Sequence, residues 1–357
     1  MESFIYTASP GRVIFGAGTL SKLPEELERE GRQATLILST SFQAAEAERV
    51  RDLIGSRAVG VFTEAAMHTP ADITERALAV AQNLKADSIV SVGGGSTIGL
   101  GKAISIRTGL LHICIPTTYA GSEMTPILGE TVNGRKTTRR DPKILPAIVI
   151  YDVNLTTTLP QGLSATSGVN AIAHAVEALY APDTNPIIKL LAKEGVRALA
   201  ASLLVIVKDG SDLDARSKAL YGAWLCGLCL GSTAMSLHHK LCHTVGGSFD
   251  LPHAETHTIL LPHTIAYNSP AVPGAMRDLA EVLPESGGDA IEGLNRLLNQ
   301  LGVERALKTF GMKEEDVEKA AAIAMENRYY NPREVDQEKL RELIRRAWAG
   351  EPAKTDL

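Results

Sequence analysis

The chain has 357 residues, 45% of them hydrophobic and 22% charged, and a formal net charge of −5. That is the make-up of a globular protein long enough for two domains or one large α/β unit. Charge forms no long run of one sign, so neither a nucleic-acid nor an anionic-membrane surface is expected. The opening Met1-Glu-Ser-Phe-Ile-Tyr-Thr7 lacks the basic and apolar regions of a signal peptide. Cys114, Cys226, Cys229 and Cys242 sit among apolar neighbours and read as buried, reduced thiols of a cytosolic protein. Cys226 and Cys229 have CxxC spacing, but no second pair completes a zinc site. Residues 219–237 are uncharged and approach the length of a membrane span, yet Gly222, Gly227, Gly231, Ser232 and Thr233 make a buried helix the better reading.

Along the first half, short Val- and Ile-rich runs at 13–15, 35–38, 59–62, 88–92, 112–115 and 147–151 read as strands. Helical patterns at 21–30, 44–54, 73–84 and 99–108 separate them. Strands alternating with helices predict a Rossmann-like, mostly parallel sheet. The pattern changes at Leu159-Pro160. Beyond it, 171–180, 186–207, 213–230, 233–245, 273–283, 290–301, 306–310, 314–325 and 336–348 read as helices. The expected organisation is an α/β domain over 1–160 that binds a dinucleotide, followed by an all-helical domain over 161–357.

The strand at 88–92 runs into Gly93-Gly94-Gly95-Ser96-Thr97, and a helix follows. Three glycines let backbone N–H groups approach a phosphate, and a helix N-terminus favours negative charge, so pyrophosphate binding is expected over a structural turn. Gly16-Ala17-Gly18-Thr19 lacks the third glycine of the dinucleotide fingerprint and reads as a turn. The strand at 112–115 ends in Pro116-Thr117-Thr118-Tyr119-Ala120-Gly121-Ser122-Glu123, whose hydroxyls are placed to reach a nicotinamide ribose or phosphate. After the second strand comes Ser39-Thr40-Ser41, where many dinucleotide enzymes carry an acidic residue that binds the ribose 2′-hydroxyl. Without that charge, the loop accepts NADH or NADPH.

The chain's nine histidines are not scattered. His238, His239, His243, His253, His257 and His263 fall in one short segment. Asn170 and His174 lie four apart, on one helix face, and His239 and His243 repeat that spacing. Asn170, His174, His239 and His253 would make a divalent-metal cage if Asn170 were aspartate. Three histidines and a carboxylate suit Zn²⁺ or Fe²⁺, whereas asparagine offers only a neutral amide oxygen. The cluster is therefore expected to work without metal, its imidazoles acting as acids and anion binders. His238, His257 and His263 are read as supporting or structural. Arg328-Tyr329-Tyr330-Asn331-Pro332-Arg333 reads either as a turn between helices or as a source of a guanidinium or phenol for the site.

These motifs together resemble the iron-containing alcohol dehydrogenase superfamily, which shares its fold with dehydroquinate synthase, and within it the maleylacetate reductases. The resemblance spans essentially the whole chain. It is carried by the segment from Gly93 to Lys102, by Pro116-Thr-Thr-Tyr-Ala-Gly-Ser-Glu-Met-Thr-Pro126, by Gly129-Glu130 through Asp141-Pro142, by Ser167-Gly-Val-Asn-Ala-Ile-Ala-His-Ala-Val-Glu-Ala-Leu-Tyr180, and by the His239/His243/Pro252-His253 segment. Three departures from the metal-dependent pattern agree. Asn170 replaces the ligand aspartate, Gly99 stands where many alcohol-oxidising members carry aspartate, and the loop from Pro116 is one residue shorter than theirs.

The resemblance implies that Gly93, Gly94, Gly95, Ser96, Thr97, Thr117, Thr118 and Thr125 contact the cofactor, and that Lys136 lies near the nucleotide. Ser39, Thr40 and Ser122 are added to that set. It further implies reduction of the carbon–carbon double bond of maleylacetate, giving 3-oxoadipate in aromatic-compound breakdown, by a cytoplasmic homodimer with NADH or NADPH and no metal. His243 and His253 are expected as the acid and the enolate-stabilising group, with His174, His239, Asn170 and Tyr119 around the dicarboxylate. The rival readings are a metal-dependent alcohol or aldehyde dehydrogenase and a non-redox synthase of the same fold.

Overall fold

The computed structural model describes Phe4, Tyr6, Thr7 and residues 11–132, 135–326 and 329–357, without the side chains of Arg135 and Lys136. The chain forms two compact units, one spanning Ala8–Leu159 and the other Pro160–Leu357 together with Met1–Thr7.

The first unit is built on β1 (Arg12–Gly16), β2 (Thr35–Leu38), β3 (Ala58–Phe62), β4 (Ser88–Gly93), β5 (Leu111–Pro116) and β8 (Ile148–Asp152). Their order in the sheet is β1-β8-β5-β4-β2-β3, and every pairing is parallel. The connecting helices are α1 (Leu23–Arg29), α2 (Ala44–Ile54), α3 (Ala71–Asn83) and α4 (Gly95–Thr108). Side chains alternate across the sheet. Leu36, Leu38 and Ile89 pack with Ala77 of α3 and with Leu100 and Ile104 of α4. Ile37, Val90 and Val92 pack with Leu27 of α1 and Val50 of α2. Burial on both faces is why these strands are continuous apolar runs. Each fully buried aliphatic side chain contributes about 1.5–3 kcal/mol.

From β2 the chain moves outward to β3, then returns to β4 and continues to β5 on the other side. The reversal lies between β2 and β4. At such a switch point the loops diverge and leave a crevice outside the carboxyl ends of the strands, where open α/β sheets bind ligands. Residues 39–43 follow β2 and residues 94–97 follow β4.

Two strands were not expected. β6 (Ile127–Val132) and β7 (Arg135–Arg140) form an antiparallel hairpin, with Ile127 opposite Arg140. β7 reads Arg-Lys-Thr-Thr-Arg-Arg and has no apolar alternation to reveal it, although Asn133-Gly134 between the strands is a hairpin-turn dipeptide.

The second unit contains α5 (Gln161–Tyr180), α6 (Pro186–Ile206), α7 (Leu213–Ser232), α8 (Leu237–Ser248), α9 (His253–Asn268), α10 (Pro273–Val282), α11 (Ala290–Gln300), α12 (Asp316–Met325) and α13 (Gln337–Ala349). Its described residues hold no strand. One core gathers Leu237, Leu241 and Val245 of α8, Ile259 and Leu260 of α9, Ala320 and Ala324 of α12, and Leu340 and Ile344 of α13. A Cβ on Gly222 of α7 would stand 2.9 Å from the Gly195 carbonyl oxygen of α6, so these glycines set a close helix contact.

Several bounds differ from the sequence pattern. α5 begins directly after Pro160 and is buried almost all round, which hides its period. α8 starts at Leu237 rather than 233, because the Thr233 N–H and hydroxyl both close back on the Cys229 carbonyl. α9 was not expected; Pro262 stands inside it and polar His and Thr residues obscure its apolar face. Residues 306–310 reduce to a 3₁₀ turn, Leu307–Phe310. No single helix among the described residues is long and apolar enough to cross a membrane; α7 and α8 pass that test only as a pair bent by 98°.

Candidate active site

The loops expected to bind the nucleotide lie in the first unit. β4 ends at Gly93 with φ of 152°, and a Cβ there would stand 2.5 Å from Thr97 Oγ1 and 2.8 Å from Gln43 Oε1. Only glycine fits. Gly94 caps α4 and Gly95 opens it, with empty space where a Gly95 Cβ would go. A phosphate can thus approach the positive end of α4 without meeting a side chain. Thr97 Oγ1 is buried and has no hydrogen-bond partner. Gln43 Nε2 donates to Thr117 Oγ1 at 2.7 Å, joining the loops after β2 and β5. Thr118 packs against Gly94. Ser39 is buried and donates to the Thr40 carbonyl at 3.1 Å, while Thr40 and Ser96 are partly exposed.

Other expected positions have different surroundings. The Thr125 hydroxyl accepts from Lys102 Nζ at 2.9 Å and donates to the Ser122 carbonyl at 3.0 Å, so it is spent within the protein. Lys102 Nζ also donates to the Ser122 and Ile127 carbonyls at 2.6 and 2.9 Å. Burial pushes its ammonium down to about 8. Lys102 is therefore a strut between α4 and the 122–127 segment, a role that a lysine at helical spacing from a glycine loop does not advertise. Tyr119 is fully buried in the first unit. Lys136 lies on β7 with its side chain outside the described residues. Gly18 and Leu20 donate their N–H groups to the Asp152 carboxylate at 2.8 and 2.9 Å, so the Gly16–Gly18 segment is a structural turn. A Cβ on Gly99 would run into the Thr69 hydroxyl, which explains glycine at that position.

The histidine cluster lies in the second unit. Asn170, His174 and Glu177 stand at i, i+4 and i+7 of α5, on one face. His174 Nδ1 is 2.8 Å from His239 Nε2, and His239 Nδ1 is 2.6 Å from Glu177 Oε2. Glu177 also accepts the N–H groups of Ser236 and His238 at 3.0 and 2.8 Å. Burial alone would raise its pKa, but His239 and the two backbone donors outweigh burial and hold it below the usual value. Glu177 is thus an ionised, buried carboxylate that fixes a proton on His239 Nδ1. It escaped the sequence reading, although its three-residue spacing from His174 was visible.

Beneath this pair lies a second chain. The Thr264 hydroxyl donates to a carbonyl one turn back, at Leu260 or Leu261, so its oxygen accepts from His238 Nδ1 at 3.1 Å. His238 Nε2 then accepts from His257 Nδ1 at 3.0 Å. This order leaves a lone pair on His257 Nε2, which is buried without a partner, as is Asn170 Oδ1. Burial, with the neighbouring histidines, keeps His238 and His257 neutral well below the ordinary value. His257 packs edge-on against His253 with ring centroids 4.4 Å apart, and His243 stacks with His253 at 6.4 Å. His243 is exposed and His253 half-buried, so these two line the open side of the cluster. His263 stands apart: burial, Arg305 and Arg346 push its pKa down to about 3. Arg333 donates to the Tyr267 and Leu357 carbonyls at 2.6 and 2.7 Å and is structural. Tyr329 is different. Its hydroxyl is buried without a partner, and burial, with Tyr267 and Glu177, raises it to about 12.

The frame that would hold a family metal fits one poorly. At 2.8 Å, His174 Nδ1 and His239 Nε2 share a proton, whereas two imidazoles on a tetrahedral ion with bonds of about 2.05 Å stand about 3.3 Å apart. Asn170 adds no charge. Among the described residues, the only group of three or more His, Cys or carboxylate ligand atoms that converge within 4.8 Å belongs to His238, Cys242 and His257. There the Thr264–His238–His257 chain engages both His238 nitrogens and His257 Nδ1, and leaves only the lone pair of His257 Nε2.

The iron-containing alcohol dehydrogenase model matches residues 10–153, and that of the C-terminal part of the same family matches residues 164–348. The chain belongs to the iron-containing alcohol dehydrogenase family. Within this family it is 51% identical over 350 residues to a maleylacetate reductase of Rhizobium sp. (strain MTP-10005), covering 98% of this chain and 99% of that one. The crystal structure of maleylacetate reductase from Agrobacterium tumefaciens superposes with a TM-score of 0.94 at 50% identity, over 99% of this chain and 100% of that one. An iron-containing alcohol dehydrogenase from Corynebacterium glutamicum ATCC 13032 matches with a TM-score of 0.92 at 39% identity, over 100% and 98% of the two chains.

Proposed function

We propose that the chain reduces the C2=C3 double bond of maleylacetate with NADH or NADPH, giving 3-oxoadipate. Full-length similarity to maleylacetate reductases carries this reading, and the replacement of a ligand carboxylate by Asn170 supports it. Hydride from nicotinamide C4 adds to C2, the carbon β to the ketone. The electron pair of the double bond moves through C3 onto the ketone oxygen, C3 then takes a proton, and the cofactor leaves as NAD⁺ or NADP⁺. The developing enolate needs a positioned N–H donor. His253 and His243 are the proposed donor and acid. His239, both of its nitrogens engaged by Glu177 and His174, holds the His174 ring, which with the Asn170 amide receives the dicarboxylate.

Conjugate addition forms an enolate, which two histidines can stabilise, so the reading needs no cation. Gly93, Gly94, Gly95, Ser96, Thr97, Thr117 and Thr118 form the proposed cofactor loops. The same reading makes the enzyme a cytoplasmic homodimer; four buried cysteines that form no disulfide support a reducing compartment. The test is NADH oxidation with maleylacetate against simple aldehydes and ketones, with 3-oxoadipate identified as product. Turnover of aldehydes at rates above that of maleylacetate would overturn it.

A further inference from the structure

Phe42 is 98% exposed, the most exposed large hydrophobic side chain among the described residues. It sits in the middle of the Ser41–Gln43 turn that follows β2. Leaving a phenylalanine wholly in water forfeits the burial such a side chain normally gains. Its neighbours show what can cover it. Thr40 precedes the turn at the position where dinucleotide enzymes bind the adenosine ribose. Gln43 ends the turn and holds Thr117 across Gly93. The turn therefore borders the switch-point crevice on the β2 side, while the glycine loop takes the diphosphate at the start of α4. A dinucleotide anchored there by its phosphates has its nicotinamide half toward the β5 loop and its adenosine toward β2. The adenine then falls beside Phe42.

We propose that Phe42 is the adenine platform of this enzyme, stacking its ring on the base of NADH or NADPH. The inference rests on the dinucleotide-dependent reading above. Stacking is indifferent to the 2′-phosphate, so Phe42 gives affinity to both cofactors alike, in keeping with a loop that lacks an acidic selector. Because the side chain packs against nothing in the protein, its removal leaves the fold intact.

The experiment compares the wild type, Phe42→Ala and Phe42→Trp. Fluorescence titration should show NADH and NADPH binding weakened about tenfold in Phe42→Ala, the scale of one lost base–aromatic stack, and restored in Phe42→Trp. Reduced nicotinamide mononucleotide, which has no adenine, should bind the three proteins within about twofold of one another by the same argument. Calorimetric titration with ADP-ribose reads the adenine end without any turnover, so it tests Phe42 even if maleylacetate is not the substrate. Unchanged NADH and ADP-ribose affinity in Phe42→Ala would overturn the proposal. Equal weakening of NADH and of the mononucleotide would overturn it too, because the damage would then lie in the loop and not at the base.

Discussion

Glu177 Oε2 lies 2.6 Å from His239 Nδ1, with the carboxylate fully buried. It also accepts two backbone N–H groups at the start of α8 and the Tyr180 hydroxyl. One side chain of α5 thus fixes both the tautomer of His239 and the place where α8 begins. Removing one partner of a buried, hydrogen-bonded pair typically costs about 3–5 kcal/mol. Glu177→Ala should lose stability of that order in chemical denaturation. Glu177→Gln should fold better but turn over at least about tenfold more slowly, because the amide no longer fixes the imidazole proton. Normal turnover in Glu177→Gln would remove the carboxylate from the mechanism.

His243 and His253 stack on the open side of the cluster. The enolate exists only along the reaction coordinate, so its donors act on kcat more than on cofactor binding. His243→Ala and His253→Ala should each lower kcat by about a hundredfold or more, the usual effect of deleting one preorganised donor. NADH affinity, which the proposal assigns to the loops of the first unit, should change little. Circular dichroism must show both variants folded. Near-normal kcat in either one would take that histidine out of the chemistry.

The sheet was legible because its strands are buried on both faces and so are spelled in Val, Ile and Leu. β7, all charge and hydroxyl, left no such trace. α9 was hidden by Pro262 and by the histidines that make it interesting. Glycines 93–95 announced the tight entry into α4, where Gly93 has a φ of 152° and no room for a Cβ. By contrast, the tasks of Thr125 and Lys102 depend on which chain segment passes beside α4, and spacing along the sequence carries no such information. Glu177 escaped for the same reason; His257 and Tyr329 were legible as a supporting histidine and a candidate phenol, but their unpartnered buried atoms were not. Each matters through a partner, or the lack of one, brought together by tertiary packing.

Cofactor choice follows from the loop after β2. Ser39, Thr40 and Ser41 offer no charge to repel a 2′-phosphate. The kcat/KM values for NADH and NADPH should lie within about a thousandfold, roughly 4 kcal/mol. Thr40→Asp should move the ratio toward NADH. A wider gap in the wild type would mean that another residue selects the cofactor.

Stability should fall with acidity well before the carboxylates titrate. Burial pushes His112 and His263 down to about 3. The unfolded chain takes up these protons near pH 6.5 and the folded chain does not. Stability is therefore full above pH 6.5 and declines as pH falls toward 3, by about 1.4 kcal/mol per pH unit for each histidine. Denaturant midpoints measured from pH 7.5 to 4.5 should show this slope, and His263→Asn should flatten it. A midpoint constant down to pH 4.5 would show that these imidazoles protonate in the folded state.

Metal-free turnover of maleylacetate is the measurement that bears most directly on the whole account. Protein dialysed against a strong chelator, with metal content checked by elemental analysis, should oxidise NADH with maleylacetate at the undialysed rate, because the proposed enolate chemistry rests on histidines and Asn170 offers a cation no charge. A large loss of rate restored by Zn²⁺ or Fe²⁺ would contradict it.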